Sequence, residues 1–193
     1  MYVAIEGIDT AGKSTQIEAL RSFFPDALIT KEPGGTAAGV EIRNMVLHGN
    51  LKSKTAELWL FLADRAEHTE SIILPNMNKL IISDRSAVSG MAYASVQNLC
   101  DESTLVILNR LATNGTLPDV VFILRLTPEE LAHRLSQKEH DVIESRGTAY
   151  LLDIQDALIA AAYALGIQTH VIDATQSIDT ITKEITTFIK EAL

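Results

Sequence analysis

A glycine-rich stretch stands close to the start of the chain: Gly7-Ile8-Asp9-Thr10-Ala11-Gly12-Lys13-Ser14. Its spacing matches the Walker A pattern, in which two glycines bracket four residues and are followed by Lys and a hydroxyl-bearing residue. Gly7 and Gly12 let successive backbone N–H groups turn toward an anion, and Lys13 adds a positive charge near the outer phosphates. The helix that opens at Lys13 presents unpaired N–H groups to the same anion. The expected nucleotide contacts are Gly7, Ile8, Asp9, Thr10, Ala11, Gly12, Lys13, Ser14 and Thr15.

Apolar runs rich in β-branched residues recur along the chain and predict buried parallel strands. They are Tyr2 to Ile5, Ala27 to Thr30, Leu80 to Ser83, Val120 to Leu126 and Thr169 to Ile172. Helical patterns lie between and around them, at Lys13 to Phe24, Thr36 to Leu47, Lys54 to Leu74, Ser86 to Val96, Ser103 to Thr113, Pro128 to Gln137, Ala149 to Leu165 and Ser177 to Ala192. This alternation predicts an α/β protein with the three-layer P-loop NTPase fold, a five-stranded parallel sheet flanked by helices.

Composition limits the partners and the location of the protein. The 193 residues are 47% hydrophobic, which is enough for a single domain spanning 1–193. A formal net charge of -9 argues against nucleic-acid binding, which depends on clustered Lys and Arg. We expect no export signal and no membrane-spanning segment, because the chain starts directly as a strand and has no apolar run of sufficient length. Cys100 is the one cysteine, which suits a reducing cytoplasm.

Residues that follow the predicted strands should converge on one edge of the sheet. In such folds ligands bind at the carboxyl ends of the strands. These ends carry the glycine-rich loop, Lys31 to Thr36, Asp84-Arg85-Ser86 and Asp173-Ala174-Thr175. Asp84 takes the Walker B position, where a carboxylate binds Mg²⁺, and Ser14 offers a hydroxyl to the same ion. Hydrolytic ATPases usually carry an acid after that Asp, whereas Arg85 suits a site for a second anion.

Two further arginines lie where they can bind the same anion. Arg43 follows the glycine pair and Arg65 lies on the next predicted helix, and a guanidinium binds phosphate oxygens bidentately. Ordinary surface ion pairs, with Glu41 or Glu67, are the alternative for these two residues. A phosphate acceptor would need no general base, because its second pKa is about 6 and it is already ionised at neutral pH. Transfer then depends on positioning and charge stabilisation.

These motifs occur in the order found in thymidylate kinases. The chain resembles that family in the loop that begins at Gly7, in Glu32-Pro33-Gly34-Gly35-Thr36, in Arg43, in Phe61 to His68 and in Asp84-Arg85. The resemblance covers essentially the whole length and implies transfer of the ATP γ-phosphate to dTMP, giving dTDP, with Mg²⁺ as cofactor. It also implies a short mobile lid near residues 136–147. A homodimer is implied as well, through apolar faces of the helices at Lys54 to Leu74 and Ser86 to Val96.

The resemblance assigns roles to single residues of the acceptor site. The thymine-stacking aromatic of the family falls on Phe61, although that ring could instead pack in the core with Leu58, Trp59 and Leu62. Asp9 matches an acidic loop position that helps to place the acceptor, although an Asp in a turn can equally bond its own backbone. The arginine that faces the base falls on Arg65.

The family pattern gives a complete set of expected site residues. Catalytic roles fall on Asp9, Lys13 and Arg85, and metal binding on Ser14 and Asp84. Substrate contacts fall on Glu32, Pro33, Arg43, Phe61, Arg65, Arg85, Ser89 and Tyr93. Relatives carry a cis peptide bond at the position of Pro33, and the Asp173-Ala174-Thr175 turn matches the loop that meets adenine.

The chain departs from the family pattern at the mobile arginine. Relatives carry it either in the P-loop, where this chain has Thr10, or in the lid, where Val142 stands here. The remaining basic candidates, each of which could instead be a solvated helix residue, are Arg134, Lys138 and Arg146, while Asp141 and Glu144 match acidic lid positions. Ser86 departs too, since Tyr or His is commoner after the Asp-Arg pair.

Two other functions are compatible with parts of the pattern. Deoxynucleoside kinases also combine a Walker A loop with Glu-Pro and Asp-Arg-Ser segments, and in that case Glu32 would be the general base that activates thymidine. The pair Gly34-Gly35 and the arginine Arg43 favour a monophosphate acceptor instead. A non-catalytic nucleotide-binding protein is the second alternative, suggested by the missing mobile arginine. Such a protein would not need to keep Asp9 together with Arg65 and Arg85.

Overall fold

A parallel sheet forms the centre of the protein, as seen in a computed structural model that describes residues 1–49, 51–137 and 147–193. Its strands are β1 (Tyr2–Gly7), β2 (Leu28–Lys31), β3 (Ile81–Asp84), β4 (Val120–Arg125) and β5 (Gln168–Asp173). They lie in the order β2-β3-β1-β4-β5. The register sets Ile5 of β1 beside Asp84 on one side and Phe122 on the other. The prediction of a five-stranded parallel sheet is confirmed.

Helices flank this sheet and enclose the apolar core. They are α1 (Lys13–Phe23), α2 (Ala37–His48), α3 (Lys54–His68), α4 (Ala87–Val96), α5 (Glu102–Ala112), α6 (Pro128–Leu135), α7 (Thr148–Leu165) and α8 (Ile178–Ala192). Most begin at a side chain that accepts a backbone N–H of the first turn, as at Ser86, Asp101 and Thr127. Helix α1 differs, because its N-cap residue is Gly12, which has no side chain to accept such a hydrogen bond. Within the described ranges, no helix combines the length and apolarity needed to cross a membrane.

The sequence pattern was wrong about the outer strands and about the end of one helix. β2 and β5 form the edges of the sheet, so most of their side chains are only partly buried or exposed. The helix predicted at Lys54 to Leu74 is α-helical only to His68. It continues as a π-helical turn at Thr69–Ile73 and a 3₁₀ turn at Leu74–Asn76.

Helix α4 is an interior helix. Most of its apolar side chains, among them Val88 and Met91, are buried, and the helix packs against α7. The expectation that Ser86 to Val96 supplies an apolar face to a dimer is therefore wrong, because that face is covered within the chain. Large apolar side chains are exposed on α3 and α5 instead, at Trp59 (55%), Ile107 (65%) and Leu111 (77%).

Candidate active site

The glycine-rich loop joins β1 to α1 and holds Lys13 in a buried position. Lys13 donates from Nζ to the carbonyl oxygens of Gly7 (3.1 Å) and Ile8 (3.0 Å). Its ammonium also lies 3.7 Å from the carboxylate of Asp9. Burial lowers the pKa of Lys13 to about 8, because the charged form loses its hydration. The loop thus brings a cation and the uncapped start of α1 to one point, an arrangement that suits a phosphate group.

The loop backbone takes conformations that favour glycine. Gly7 and Gly12 have positive φ angles of 149° and 98°. A Cβ added to Gly7 would lie 3.0 Å from the carbonyl oxygen of Leu124, so a side chain there would be crowded as well as strained by the positive φ. Thr10 is also left-handed, with φ 72°, and its buried hydroxyl has no hydrogen-bond partner among the described residues. The structure buries Ile8 and Ala11 and exposes Ser14 and Thr15 at the start of α1.

Asp9 links the loop to the residue that follows β3. Its carboxylate accepts a hydrogen bond from Nη2 of Arg85 at 2.6 Å. Arg85 donates from Nη1 to the carbonyl oxygen of Gly7 (3.3 Å) and to Oγ of Ser89 (3.1 Å). Its guanidinium lies 5.7 Å from the centroid of the Tyr93 ring. The expected catalytic residues Asp9, Lys13 and Arg85 therefore share one network of contacts.

A cavity of about 880 Å³ opens beside Arg85. Its volume lies in the range of small-molecule sites. The predicted substrate contacts all line it: Glu32, Pro33, Arg43, Phe61, Arg65, Arg85, Ser89 and Tyr93. The ring of Phe61 is partly buried at the cavity wall, whereas Leu58 and Leu62 of the same helix belong to the core. The peptide bond between Glu32 and Pro33 is cis.

A buried ion pair lies at the wall of the cavity. Arg65, which is 3% exposed, donates from Nε to Oε2 of Glu32 at 2.9 Å. The ring nitrogen Nδ1 of His68 lies 2.9 Å from the other carboxylate oxygen. Burial by itself would raise the pKa of Glu32, but Arg65 and His68 hold that pKa below its ordinary value. The alternative of a surface pair between Arg65 and Glu67 is wrong, and a carboxylate held on both oxygens is poorly suited to the role of general base.

The glycine pair after β2 is held between α2 and α3. The backbone N–H of Gly34 donates to Oδ1 of Asp64 at 2.9 Å. Arg43 donates from Nη1 to the carbonyl oxygen of Pro33 at 3.2 Å. A Cβ added to Gly34 would lie 3.1 Å from Cδ of Arg43, so the arginine packs directly on this glycine. These contacts hold Arg43 at the cavity.

The expected metal ligands lie at the ends of β3 and the loop. Oδ1 of Asp84 is buried and has no hydrogen-bond partner among the described residues. A buried carboxylate oxygen without a donor suits a hard cation such as Mg²⁺. Ser14 lies in the first turn of α1 with its side chain exposed. Both residues have the chemistry to bind a Mg²⁺ ion next to the glycine-rich loop.

Arg134 of α6 connects the loop to the turn after β5. It donates from Nη1 to the carbonyl oxygen of Thr10 (3.0 Å) and from Nη2 to that of Ala174 (2.9 Å). Its Nε pairs with Glu130 at 2.6 Å. Arg134 is therefore not a solvated helix residue. The other lid candidates lie outside the described residues: Lys138, Asp141, Glu144 and Arg146.

Some buried polar residues of the site were not assigned by the sequence. Glu6 accepts hydrogen bonds from Ser86 (2.7 Å) and Ser89 (2.5 Å), and burial raises its pKa. The sequence does indicate that Glu6 is a site residue, because it is a charged residue between an apolar run and the first glycine of the loop. Asn109 accepts from Nη1 of Arg65 at 3.0 Å and gave no signal, because Arg65 lies 44 residues earlier.

Known proteins resemble this chain along nearly its whole length. A family model described as Thymidylate kinase matches residues 5–185. The chain is 62% identical over 185 residues to the thymidylate kinase of Sulfurimonas denitrificans (strain ATCC 33889 / DSM 1251), with 96% of this chain and 97% of that protein covered. It is 53% identical over 189 residues to the thymidylate kinase of Aliarcobacter butzleri (strain RM4018), with 98% of each covered. The crystal structure of thymidylate kinase from Ehrlichia chaffeensis matches with a TM-score of 0.76 at 26% identity, with 98% of each chain covered.

Proposed function

This chain belongs to the thymidylate kinase family and phosphorylates dTMP to dTDP, and we propose that the glycine-rich loop binds ATP while the adjoining cavity binds dTMP. This proposal rests on the two contacts of the Asp9 carboxylate. One carboxylate contacts both Lys13 of the loop and Arg85 of the cavity. Cations for two phosphate groups thus meet in one network, and substrates bound on either side of it would hold their phosphates close together.

The cavity residues divide by chemistry between the parts of dTMP. Arg43 and Arg85 bind the acceptor phosphate, since each guanidinium offers a fork of donors. Phe61 stacks on the thymine ring, and Arg65 donates to the base. The hydroxyl of Tyr93 is buried without a hydrogen-bond partner among the described residues, so it is available to the sugar.

Transfer needs positive charge rather than a base. The dTMP phosphate is already ionised at neutral pH, and one of its oxygens attacks the γ-phosphorus in line as the bond to the ADP oxygen breaks. Lys13 stabilises charge on the transferred group, and Arg85 offsets the repulsion between the two anions. Mg²⁺ held by Ser14 and Asp84 would neutralise charge on the ATP phosphates.

Arg134 is our candidate for the cation that the family places in the P-loop or the lid. Its contact with the carbonyl oxygen of Thr10 brings its guanidinium to the loop position where relatives carry arginine. We assign residues 1–193 to one domain and about 136–147 to a lid, most of which lies outside the described residues. Closure of such a lid over ATP would exclude water, so that transfer outruns hydrolysis.

A coupled ADP-release assay with Mg-ATP tests the proposed site. We expect ADP with dTMP, weaker release with dUMP, and background release with thymidine or without acceptor. Preference for thymidine would overturn the assignment of a monophosphate acceptor and restore Glu32 as a candidate base. Absence of ADP with every acceptor would favour a binding protein.

We also propose a homodimer that forms through α3 and α5. These helices pack together, and α3 exposes Trp59 while α5 exposes Ile107 and Leu111. Ile107→Asp should therefore convert the protein from twice the 21.1 kDa chain mass to a single chain. Sedimentation equilibrium measures the change, with the exposed Lys183→Glu on α8 as control. A wild-type protein that sediments as a single chain would overturn the proposal.

Cys100 supports a cytoplasmic location. It is the one cysteine of the sequence and is a free thiol. Free thiols persist where the compartment is reducing. We therefore place the enzyme in the cytoplasm.

A further inference from the structure

We infer that Asn109 is a positioning residue that fixes Arg65 for recognition of the base, an inference that rests on the proposed role of Arg65 toward dTMP. Asn109 lies on α5 and is fully buried. It is not among the described residues that line the cavity, whereas Arg65 is. An effect of Asn109 on substrate choice is therefore indirect, and Arg65 is the cavity residue to which its side chain is hydrogen-bonded.

The guanidinium of Arg65 is held on three sides. Nε donates to Glu32 (2.9 Å), Nη1 to Oδ1 of Asn109 (3.0 Å) and Nη2 to the carbonyl oxygen of Ser86 (3.2 Å). A guanidinium has five N–H donors, so one on Nη1 and one on Nη2 are left for a ligand. The direction of these two donors is set by the three bonds already made.

The amide of Asn109 can take only one orientation at this position. Its Nδ2 donates to the carbonyl oxygen of Leu105 at 2.8 Å, one turn earlier on α5. A carbonyl oxygen can only accept and a guanidinium can only donate. Rotation of the amide by half a turn would therefore break both hydrogen bonds. The position of α5 thus fixes the position of the oxygen that accepts from Nη1 of Arg65.

Gly90 of α4 limits movement of the guanidinium from another side. A Cβ added to Gly90 would lie 2.7 Å from both Nη1 and Nη2 of Arg65. The guanidinium therefore lies directly against the backbone of α4, with Asn109 of α5 as a further contact. In this position its remaining donors favour a base that presents a carbonyl oxygen over one that presents an amino group. Asn109 would thus contribute to the preference for dTMP over dCMP.

Asn109→Leu tests this inference because it keeps the volume and removes the acceptor for Nη1. We expect Kd and KM for dTMP to rise about tenfold or more, since each tenfold corresponds to about 1.4 kcal/mol and a hydrogen bond to a charged group contributes at least that much. We expect kcat to change by less than about threefold and the preference for dTMP over dCMP to fall about tenfold. Calorimetric titration gives Kd, and the ADP-release assay gives KM and kcat.

Thr113→Val is the matched control. Thr113 is buried at the C-cap of α5, and within the part of the chain that the structure describes its hydroxyl donates to the main-chain carbonyl oxygens of Asn109 and Arg110. This variant should leave both Kd values within about twofold of wild type. Asn109→Asp keeps an oxygen in reach of Nη1 and should restore most of the preference for dTMP.

Two outcomes would overturn the inference: an Asn109→Leu protein that matches Thr113→Val, or equal loss of affinity for dTMP and dCMP. If the leucine variant does not fold, Asn109→Ser replaces it in the same test, because the serine side chain is too short for its hydroxyl to reach Nη1 of Arg65. Wild-type protein that neither binds nor phosphorylates dTMP would overturn the proposed function instead. Because Kd is measured without turnover, the two failures are distinguishable.

Discussion

Lys13→Met is expected to lower kcat for dTMP phosphorylation by about 10²–10³-fold, the usual loss when one group that stabilises transition-state charge is removed. Methionine matches the length of the lysine but carries no charge for the transferred phosphoryl group. The change should not destabilise the protein, because it removes a buried ammonium whose pKa is already lowered by desolvation. The ADP-release assay measures kcat, and thermal unfolding monitors the fold.

A pH series separates a charge effect from a packing effect at Lys13. With a pKa of about 8, Lys13 loses its proton as the pH rises above that value, and an anion must then bind a neutral amine or restore the proton. Affinity for ATP should fall about tenfold between pH 7 and pH 9 in wild type and stay flat in Lys13→Met. The exposed Lys183→Met should behave as wild type. A loss of kcat below about tenfold would contradict the assigned role.

Glu32→Gln is expected to lower the free energy of unfolding at pH 7 by about 3–5 kcal/mol. Glutamine keeps the shape of the side chain but leaves the buried guanidinium of Arg65 without its counterion. Urea unfolding followed by circular dichroism measures the loss. The exposed pair of Arg21 and Glu18, 3.3 Å apart, provides the control, and Glu18→Gln should cost less than about 1 kcal/mol.

Lowering the pH should remove the contribution of the Glu32–Arg65 ion pair to the free energy of unfolding of the wild type. The pKa of Glu32 lies below its ordinary value in the folded protein, because Arg65 and His68 favour the charged form against the effect of burial. Its contribution is therefore complete above the unfolded pKa of about 4.3 and is lost as the pH falls through the lower, folded pKa. The difference in the free energy of unfolding between wild type and Glu32→Gln should shrink as the pH falls across that range. A difference that is constant with pH, or equal to that of Glu18→Gln, would show that the pair does not carry the effect.

Local patterns predict the parts of the site that depend on neighbouring residues. The glycine-rich loop needs only the spacing of Gly7, Gly12 and Lys13, and the strand that precedes it is a simple apolar run. Strand ends such as Asp84-Arg85 can be grouped from the sequence alone, because parallel strands end at one edge of the sheet. This is why residues from separate segments of the chain are expected at one cavity, and why they line it together.

Partners that are distant in the sequence could not be predicted in the same way. Glu32 and Arg65 lie 33 residues apart, and neither residue type shows by itself that the pair is buried. The exposed sides of β2 and β5 depend on strand order, which composition does not encode. Apolar residues on α4 were mistaken for a dimer face, because a helix buried against α7 has the same pattern as one that meets a second chain.

Adjacency of β1 and β3 sets the spacing of the two proposed phosphate sites. Ile5 and Asp84 are register partners, the loop begins at Gly7, the last residue of β1, and Arg85 directly follows β3. Neighbouring strands lie about 4.8 Å apart. The spacing between the loop and Arg85 therefore originates in main-chain hydrogen bonds, which most side-chain substitutions, proline excepted, leave in place. Surrounding helices can diverge in sequence while the sheet continues to hold the two proposed phosphate sites at the same spacing.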